Sequence, residues 1–446
     1  MARTSAQRLK GFRDFLPEAM ALRRHVMGTF EQVFQRYGFL PWETPSLELA
    51  ETFDGKTGQE AQTLMYRFTD RGDREVGLRY DLTVPLARVI GMHPDLPMPF
   101  KRYHIAPVWR YERPQRGRFR EFWQCDVDTV GSSEPSADAE ILAVVSECLD
   151  AVGFSEYRIV LNNRKTLSAL ARFSGASPEQ AVDVYRSIDK LGKIGVEGVR
   201  EEMLGRGLPP EAANRVLELI SIQGESSEIL DALEKYLTDD PEGVTGVREM
   251  RSVLDLLPCF AVDSSRRVVV DPSLARGLDY YTGIVFETEV DEPKVGSVTG
   301  GGRYDELVGS FAGRSLPTVG TALGLERILE VIAELHLIDA PNAGADVLVT
   351  VFDENSVAFS LQLAGDLRRA GVRTEVYLGP PGNLRRQLGH ADKLHIPLTL
   401  LAGPDERARD EVTLRDMASG EQRSIPRQEV ARQVLAALHS SEGMPV

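Results

Sequence analysis

The stretch Arg110-Tyr111-Glu112-Arg113-Pro114-Gln115-Arg116-Gly117-Arg118-Phe119-Arg120-Glu121-Phe122-Trp123-Gln124 decides how the whole chain is read. Counted from Lys101 to Gln124, it holds seven basic side chains (Lys101, Arg102, Arg110, Arg113, Arg116, Arg118, Arg120) against two acidic ones, Glu112 and Glu121. A basic run alone is usually a solvated face. Here its flanks alternate as strands do, with successive side chains on opposite faces. Going in, Ile105, Pro107, Trp109 and Tyr111 share one face, and Arg110 and Glu112 the other. Coming out, Trp123, Cys125 and Val127 share one face, and Gln124, Asp126 and Asp128 the other. The spacing predicts two strands over 103–130, joined by a basic loop at 113–119. Paired as an antiparallel hairpin, they project Arg110, Gln124 and Asp128 from one side. An arginine fork suits phosphate oxygens, and a glutamine and a carboxylate beside it suit a small polar ligand with donors. The combination reads as a nucleotide-plus-metabolite pocket built on a sheet.

No phosphate loop accompanies that pocket. Gly55-Lys56-Thr57 resembles the end of one, but the glycine required five positions earlier is Ala50. Gly300-Gly301-Gly302 runs into Arg303-Tyr304-Asp305, so the third glycine of a dinucleotide fingerprint is missing.

Outward from the hairpin, the composition is globular. The 446 residues suggest about three domains. Lys and Arg number 52 against 67 Asp and Glu, a net charge of −15, which argues against coating nucleic acid or an anionic membrane through overall charge. Cys125, Cys148 and Cys259 are too widely spaced for a zinc site and odd in number, so no zinc and no disulfide framework are expected, which fits a cytoplasmic protein. The N-terminus lacks the apolar core of a secretory signal, and no apolar run approaches the length of a membrane span, so no membrane contact is expected.

Apolar spacing predicts a helix over 20–37, an extended segment from Phe39 to Pro45, strands over 64–84 with a turn at Arg71-Gly72-Asp73, and a helix over 134–152. Residues 165–257 read as an all-helical insert with 11 basic and 17 acidic residues. Strand patterns return at 267–271, 283–290 and 318–323, the last running through Gly324 into a helix. After a linker at 337–344, strand and helix alternate: strands at 347–351, 372–377, 397–401 and 411–415, helices at 356–369, 383–393 and 427–438. That alternation predicts a compact domain with a largely parallel sheet.

The opening stretch resembles motif 2 of the class II aminoacyl-tRNA synthetases, in its histidyl form. Ala275-Arg276-Gly277-Leu278-Asp279-Tyr280-Tyr281-Thr282-Gly283 and Gly300-Gly301-Gly302-Arg303-Tyr304-Asp305 resemble two peptides characteristic of the histidyl-tRNA synthetase family. Gly324-Leu325-Glu326-Arg327 is similar to motif 3, and the first helix with Pro45 to motif 1. The order and spacing fit from about residue 8 into the C-terminal domain.

The resemblance implies an α+β fold: a class II catalytic domain, an antiparallel sheet flanked by helices, with an all-helical insert and a C-terminal α/β anticodon-binding domain. Its expected divisions are 1–164 and 258–336 for the catalytic domain, 165–257 for the helical insertion domain and 345–446 for the anticodon-binding domain. It implies a homodimer that activates histidine with ATP, carried with Mg2+, and passes it to the 3′ end of tRNA(His). Arg276 matches the family's catalytic arginine, also set against histidine, and Arg110 the arginine at the α-phosphate; Arg118 and Arg327 match further ATP contacts. Asp81 and Thr83 match positions that hold the substrate ammonium, although many bacterial members carry Pro-Glu-Gly-Thr there. Gln124 matches a ligand of the carboxylate or amino end of histidine, and Asp128, Tyr280, Tyr281 and Tyr304 match its imidazole pocket. Arg385, Arg386, His390 and Lys393 gather near one C-terminal helix as a plausible RNA face. The rivals are a regulatory subunit of ATP phosphoribosyltransferase, which shares the catalytic fold, and a synthetase of another specificity. The first is disfavoured by the presence of Arg110, Gln124, Arg276 and Arg327, the second by the Arg276–Tyr281 peptide.

Overall fold

The computed structural model describes residues 6–56, 59–275, 280–339 and 341–441. They form two compact units. One holds His25–Asp339 with the residues before Phe15, and the other holds the C-terminal residues with Phe15–Arg24.

In the first unit, strands β1 (Leu40–Pro41), β2 (Leu47–Leu49), β3 (Arg67–Thr69), β4 (Glu75–Leu78), β5 (Phe100–Trp109), β6 (Glu121–Val130), β7 (Arg158–Asn163), β8 (Val268–Val270), β9 (Ile284–Glu289), β10 (Thr299–Arg303) and β11 (Thr318–Gly324) follow in chain order. Eight of them make one sheet in the order β1-β5-β6-β11-β10-β9-β7-β8. Its pairings are antiparallel except at the two edges, where β1 joins β5 and β8 joins β7 in parallel. The hairpin read from the sequence is β5 and β6, paired from Phe100↔Val130 to Trp109↔Glu121. Helix Pro135–Ala151 packs against β6, β10 and β11, and its side chains are buried almost all round. Helix Pro17–Arg36 contributes Val26, Phe30, Val33 and Phe34 to this unit's core, the spacing that predicted it.

Three of the departures from the sequence reading bear on the strands. The strand run expected to 84 stops at Leu78, and Thr83–Met92 is a helix. Val84, Leu86, Ala87 and Ile90 are all buried in it, so it lacks the polar stripe that marks a surface helix. Gly300-Gly301-Gly302 lies within β10, and Gln422–Pro426 is a further strand; neither carries a strand signature, because glycine lacks β-propensity and the latter exposes four of its five side chains.

Between β7 and β8 run six long helices, Arg164–Ser174, Pro178–Ile188, Leu191–Gly205, Pro210–Ile220, Ser226–Tyr236 and Pro241–Leu256, and then the short helix Ser264–Arg267. Asn163 caps the first through its side chain, which accepts from the backbone N–H of Lys165.

The C-terminal unit carries strands β12 (Val347–Val349), β13 (Thr374–Val376), β14 (Leu398–Leu401), β15 (Glu411–Asp416) and β16 (Gln422–Pro426) in the order β13-β12-β14-β15-β16. The three alternating with helices are parallel, as expected, whereas β15 and β16 form an antiparallel hairpin on the edge. The sheet is therefore mixed rather than largely parallel. Val347, Val349, Leu363, Leu367, Leu400 and Val434 lie in its core. Among the described residues no helix is long and apolar enough to cross a membrane.

Candidate active site

One face of the central sheet carries the chemistry. The register sets Arg102 across from Asp128, His104 across from Asp126 and Ala106 across from Gln124. On its other side β6 meets β11, where Gly320 faces Asp128, Ala322 faces Asp126 and Gly324 faces Gln124. Beyond them Gly302 faces Gly320 and Gly300 faces Ala322. A ridge of charged side chains on β5 and β6 thus borders a floor almost without side chains.

That floor is a requirement. A Cβ at Gly320 would lie 2.6 Å from Cγ of Asp128 and 2.8 Å from the carbonyl oxygen of Val127. At Gly302 (φ +157°) it would meet the carbonyl of Ile284 and come within 3.0 Å of the Tyr281 ring. The glycines let the neighbouring carboxylate and tyrosine occupy the space above the sheet.

Asp128 is 2% exposed, and both of its oxygens are engaged. The Tyr304 hydroxyl donates to Oδ1, and the Arg102 guanidinium lies 2.7 Å from Oδ2. Arg102 also donates to the carbonyl of Leu82 at 3.2 Å. Burial pushes the Asp128 carboxyl up, and Arg102 and the Tyr304 hydrogen bond pull it back. Tyr280 packs at 4.8 Å from Tyr281 and 6.2 Å from Tyr304, ring centre to ring centre, forming an aromatic wall. Burying an ion pair rarely adds stability, so an Arg102–Asp128 pair at the bottom of a pocket points to recognition.

Asp81 precedes helix Thr83–Met92 and accepts from the backbone N–H of Val84 at 3.0 Å. It too is pushed up by burial and drawn back by Arg110 and Arg102. Thr83 opens that helix and is half-buried. Arg110 lies just past β5, with its guanidinium over the rings of Tyr80 (4.2 Å) and Phe122 (5.0 Å) and a hydrogen bond to the Tyr80 carbonyl at 3.2 Å. Gln124 is 8% exposed, and its Oε1 has no partner among the described residues.

The loop end of the hairpin forms a second group. Arg118 lies 3.5 Å from Glu112. Arg327 donates to the carbonyl of Ser297, and a Cβ at Gly117 would come within 3.2 Å of its side chain, so Arg327 lies against the loop. Glu326 accepts from the backbone N–H of Trp123 at 3.3 Å and pairs with Arg13, which ties helix Leu325–Leu335 to β6. The structure thus brings together Asp81, Thr83, Arg110, Gln124, Asp128, Tyr280, Tyr281 and Tyr304, and sets Arg118 and Arg327 at the other end of the hairpin. Arg276 lies outside the described residues.

Sequence reasoning gave no role to Arg102, His104 and Asp126, all at most 2% exposed on the same face. Their even numbering, shared with Gln124 and Asp128, was the available signal. Arg102 was instead counted with the basic run. His104 has no partner for either ring nitrogen among the described residues. In the C-terminal unit, His390 pairs with Glu375 at 2.7 Å, and Arg385 and Arg386 lie on the same helix, Leu384–Lys393.

Comparison with known proteins identifies relatives of the whole chain. A family model described as histidyl-tRNA synthetase matches residues 11–328, and one described as an anticodon binding domain matches 346–437. The histidine–tRNA ligase of Aeropyrum pernix is 43% identical over 437 residues, covering 97% of this chain and 98% of that relative. The corresponding protein of Gloeobacter violaceus is 40% identical, covering 93% and 95%. The crystal structure of histidyl-tRNA synthetase from Nostoc superposes with a TM-score of 0.87 at 31% identity, covering 98% of this chain and all of that one. With a family model over residues 11–328, these relatives across nearly its full length and the same fold, the chain belongs to the histidyl-tRNA synthetase family.

Proposed function

We propose that the chain is an ATP-dependent histidine–tRNA ligase. The observation that carries this reading is Asp128, held between the Tyr304 hydroxyl and Arg102 under an aromatic wall. A carboxylate with a fixed orientation can accept the N–H of an imidazole, and Tyr280, Tyr281 and Tyr304 enclose its flat ring. Asp81, Thr83 and Gln124 offer the oxygens an ammonium group needs.

In the first step a carboxylate oxygen of histidine attacks the α-phosphorus of ATP. The bond from that phosphorus to its β-bridging oxygen breaks, and pyrophosphate leaves with the electron pair. Arg110 serves the α-phosphoryl oxygens, where charge builds in the transition state. Its stacking on Tyr80 and Phe122 holds the fork in place beforehand. The family resemblance gives Arg276 the same task, with a further one against the histidine carboxylate. Arg118 and Arg327 take the outer phosphates, and ATP enters as its Mg2+ complex. In the second step a terminal ribose hydroxyl of tRNA(His) attacks the acyl carbon and loses its proton, and AMP departs.

We divide the chain into a catalytic domain at 1–164 and 258–336, a helical insertion domain at 165–257 and an anticodon-binding domain at 345–446. Exposed Leu40, Leu47, Leu49 and Phe68 on β1, β2 and β3 support a second copy as partner, making a homodimer. The cytoplasm is the compartment that supplies tRNA and keeps Cys125, Cys148 and Cys259 reduced.

The test is ATP–pyrophosphate exchange with purified protein. Exchange that depends on histidine supports the reading. Absence of exchange in a folded protein supplied with Mg2+ overturns it.

A further inference from the structure

Asp126 is the pocket carboxylate to which the reading above gives no task. It lies on β6 between Gln124 and Asp128, about 7 Å along the strand from each. His104 faces it from β5 and Ala322 from β11. It is 1% exposed, and its Oδ1 has no partner among the described residues.

Charged groups surround it. Arg102 approaches from β5, Arg110 from the start of the hairpin loop, Asp128 from its own strand and Asp81 from the loop before helix Thr83–Met92. Tyr281 and Tyr304 face it from the far side and stay neutral, because burial pushes both hydroxyls up. His104 also stays neutral, with Arg79 behind it. The described groups therefore set Asp81, Asp126 and Asp128 against Arg79, Arg102 and Arg110. A buried polar atom left without a hydrogen bond is expensive. Two unpartnered acceptors, Oδ1 of Asp126 and Oε1 of Gln124, lie on the same face. These two acceptors suit a cation rich in N–H donors. An ammonium group is that ligand.

We propose that Asp126 is a further binding residue of this pocket, a second carboxylate for the ammonium group of the substrate beside Asp81. The inference rests on the histidine reading above. Burial drives the Asp126 carboxyl up, and Arg102 draws it back. The Asp126 carboxylate oxygen accepts an N–H from the incoming ammonium, whose charge favours the ionised form.

The experiment is a double cycle between Asp126→Asn and loss of the ammonium from the ligand. The probe is 3-(imidazol-4-yl)propanoate, histidine without its amino group, used as a competitor in exchange assays on the full chain. In Asp126→Asn the KM for histidine rises about 10-fold or more, while inhibition by the probe and the KM for ATP change less than about twofold. A histidine KM within twofold of wild type, or a probe that weakens as much as histidine, overturns the inference. Should Asp126→Asn fail to fold, Asp126→Ser carries the same cycle. Absence of histidine-dependent exchange in the wild type is a failure of the parent reading. Intact exchange with an unaffected Asp126→Asn is a failure of this inference alone.

Discussion

The Tyr304 hydroxyl donates its hydrogen bond to Asp128 across the width of β11, from just past β10 to near the end of β6. Two peptides nearly 180 residues apart are thereby joined at one buried oxygen. Tyr304→Phe keeps the ring against Tyr280 and removes only the donor. A hydrogen bond to a charged group contributes about 1.5–3 kcal/mol. The KM for histidine in exchange should rise about 10-fold, with the KM for ATP unchanged. Equal changes in both would mean that the hydroxyl supports the sheet rather than the substrate.

Gly320 is the position that gives Asp128 its room. Gly320→Ala places a methyl group against the Asp128 carboxyl and 2.8 Å from the Val127 carbonyl, a backbone atom that cannot rotate away. Forcing such a group into a packed site costs about 1–3 kcal/mol. Urea unfolding should show that loss, and histidine-dependent exchange should fall at least about 10-fold as Asp128 is displaced. A variant with wild-type stability and KM would show that β6 and β11 can part without cost.

How far these relationships were legible beforehand depends on the side chain in question. Alternation over 103–130 leads directly to the β5–β6 hairpin and the shared side of Gln124 and Asp128. Nothing in the local pattern marks Gly300-Gly301-Gly302 as a central strand, because those residues serve the floor by having no side chains. Arg102 reads as one more residue of a basic run. Only the register across from Asp128 shows it to be a fully buried partner. Helix Thr83–Met92 is hidden for the opposite reason, since a helix buried on nearly every side has no polar stripe to reveal its period.

Arg110 bears on the first chemical step. Its guanidinium is sandwiched by Tyr80 and Phe122, an arrangement that a planar cation fits and a tetrahedral ammonium does not. Arg110→Lys retains the charge but loses the stacking and the two-pronged donor. Exchange should slow by about 10²-fold, the scale of losing one transition-state donor. The KM for histidine should change little. Near-normal exchange would take Arg110 out of the adenylation step.

His104 gives a stability prediction with a defined sign. Burial, then the positive charges of Arg102 and Arg79, lower its pKa from 6.5 to about 3. The unfolded chain therefore takes up a proton near pH 6.5, while the folded chain resists it down to about pH 3. In that window the unfolded state binds more protons, so stability is full above pH 6.5 and declines as the pH falls. At 1.36 kcal/mol per pH unit, going from pH 7 to pH 5 should cost the wild type about 2 kcal/mol through this one ring. His104→Gln keeps a polar side chain that does not titrate. Urea unfolding at the two pH values should show the variant losing about 2 kcal/mol less than the wild type, whatever its absolute stability. Equal losses would mean that the folded pocket accepts the proton on His104, and that the Arg102 charge is better screened than its burial implies.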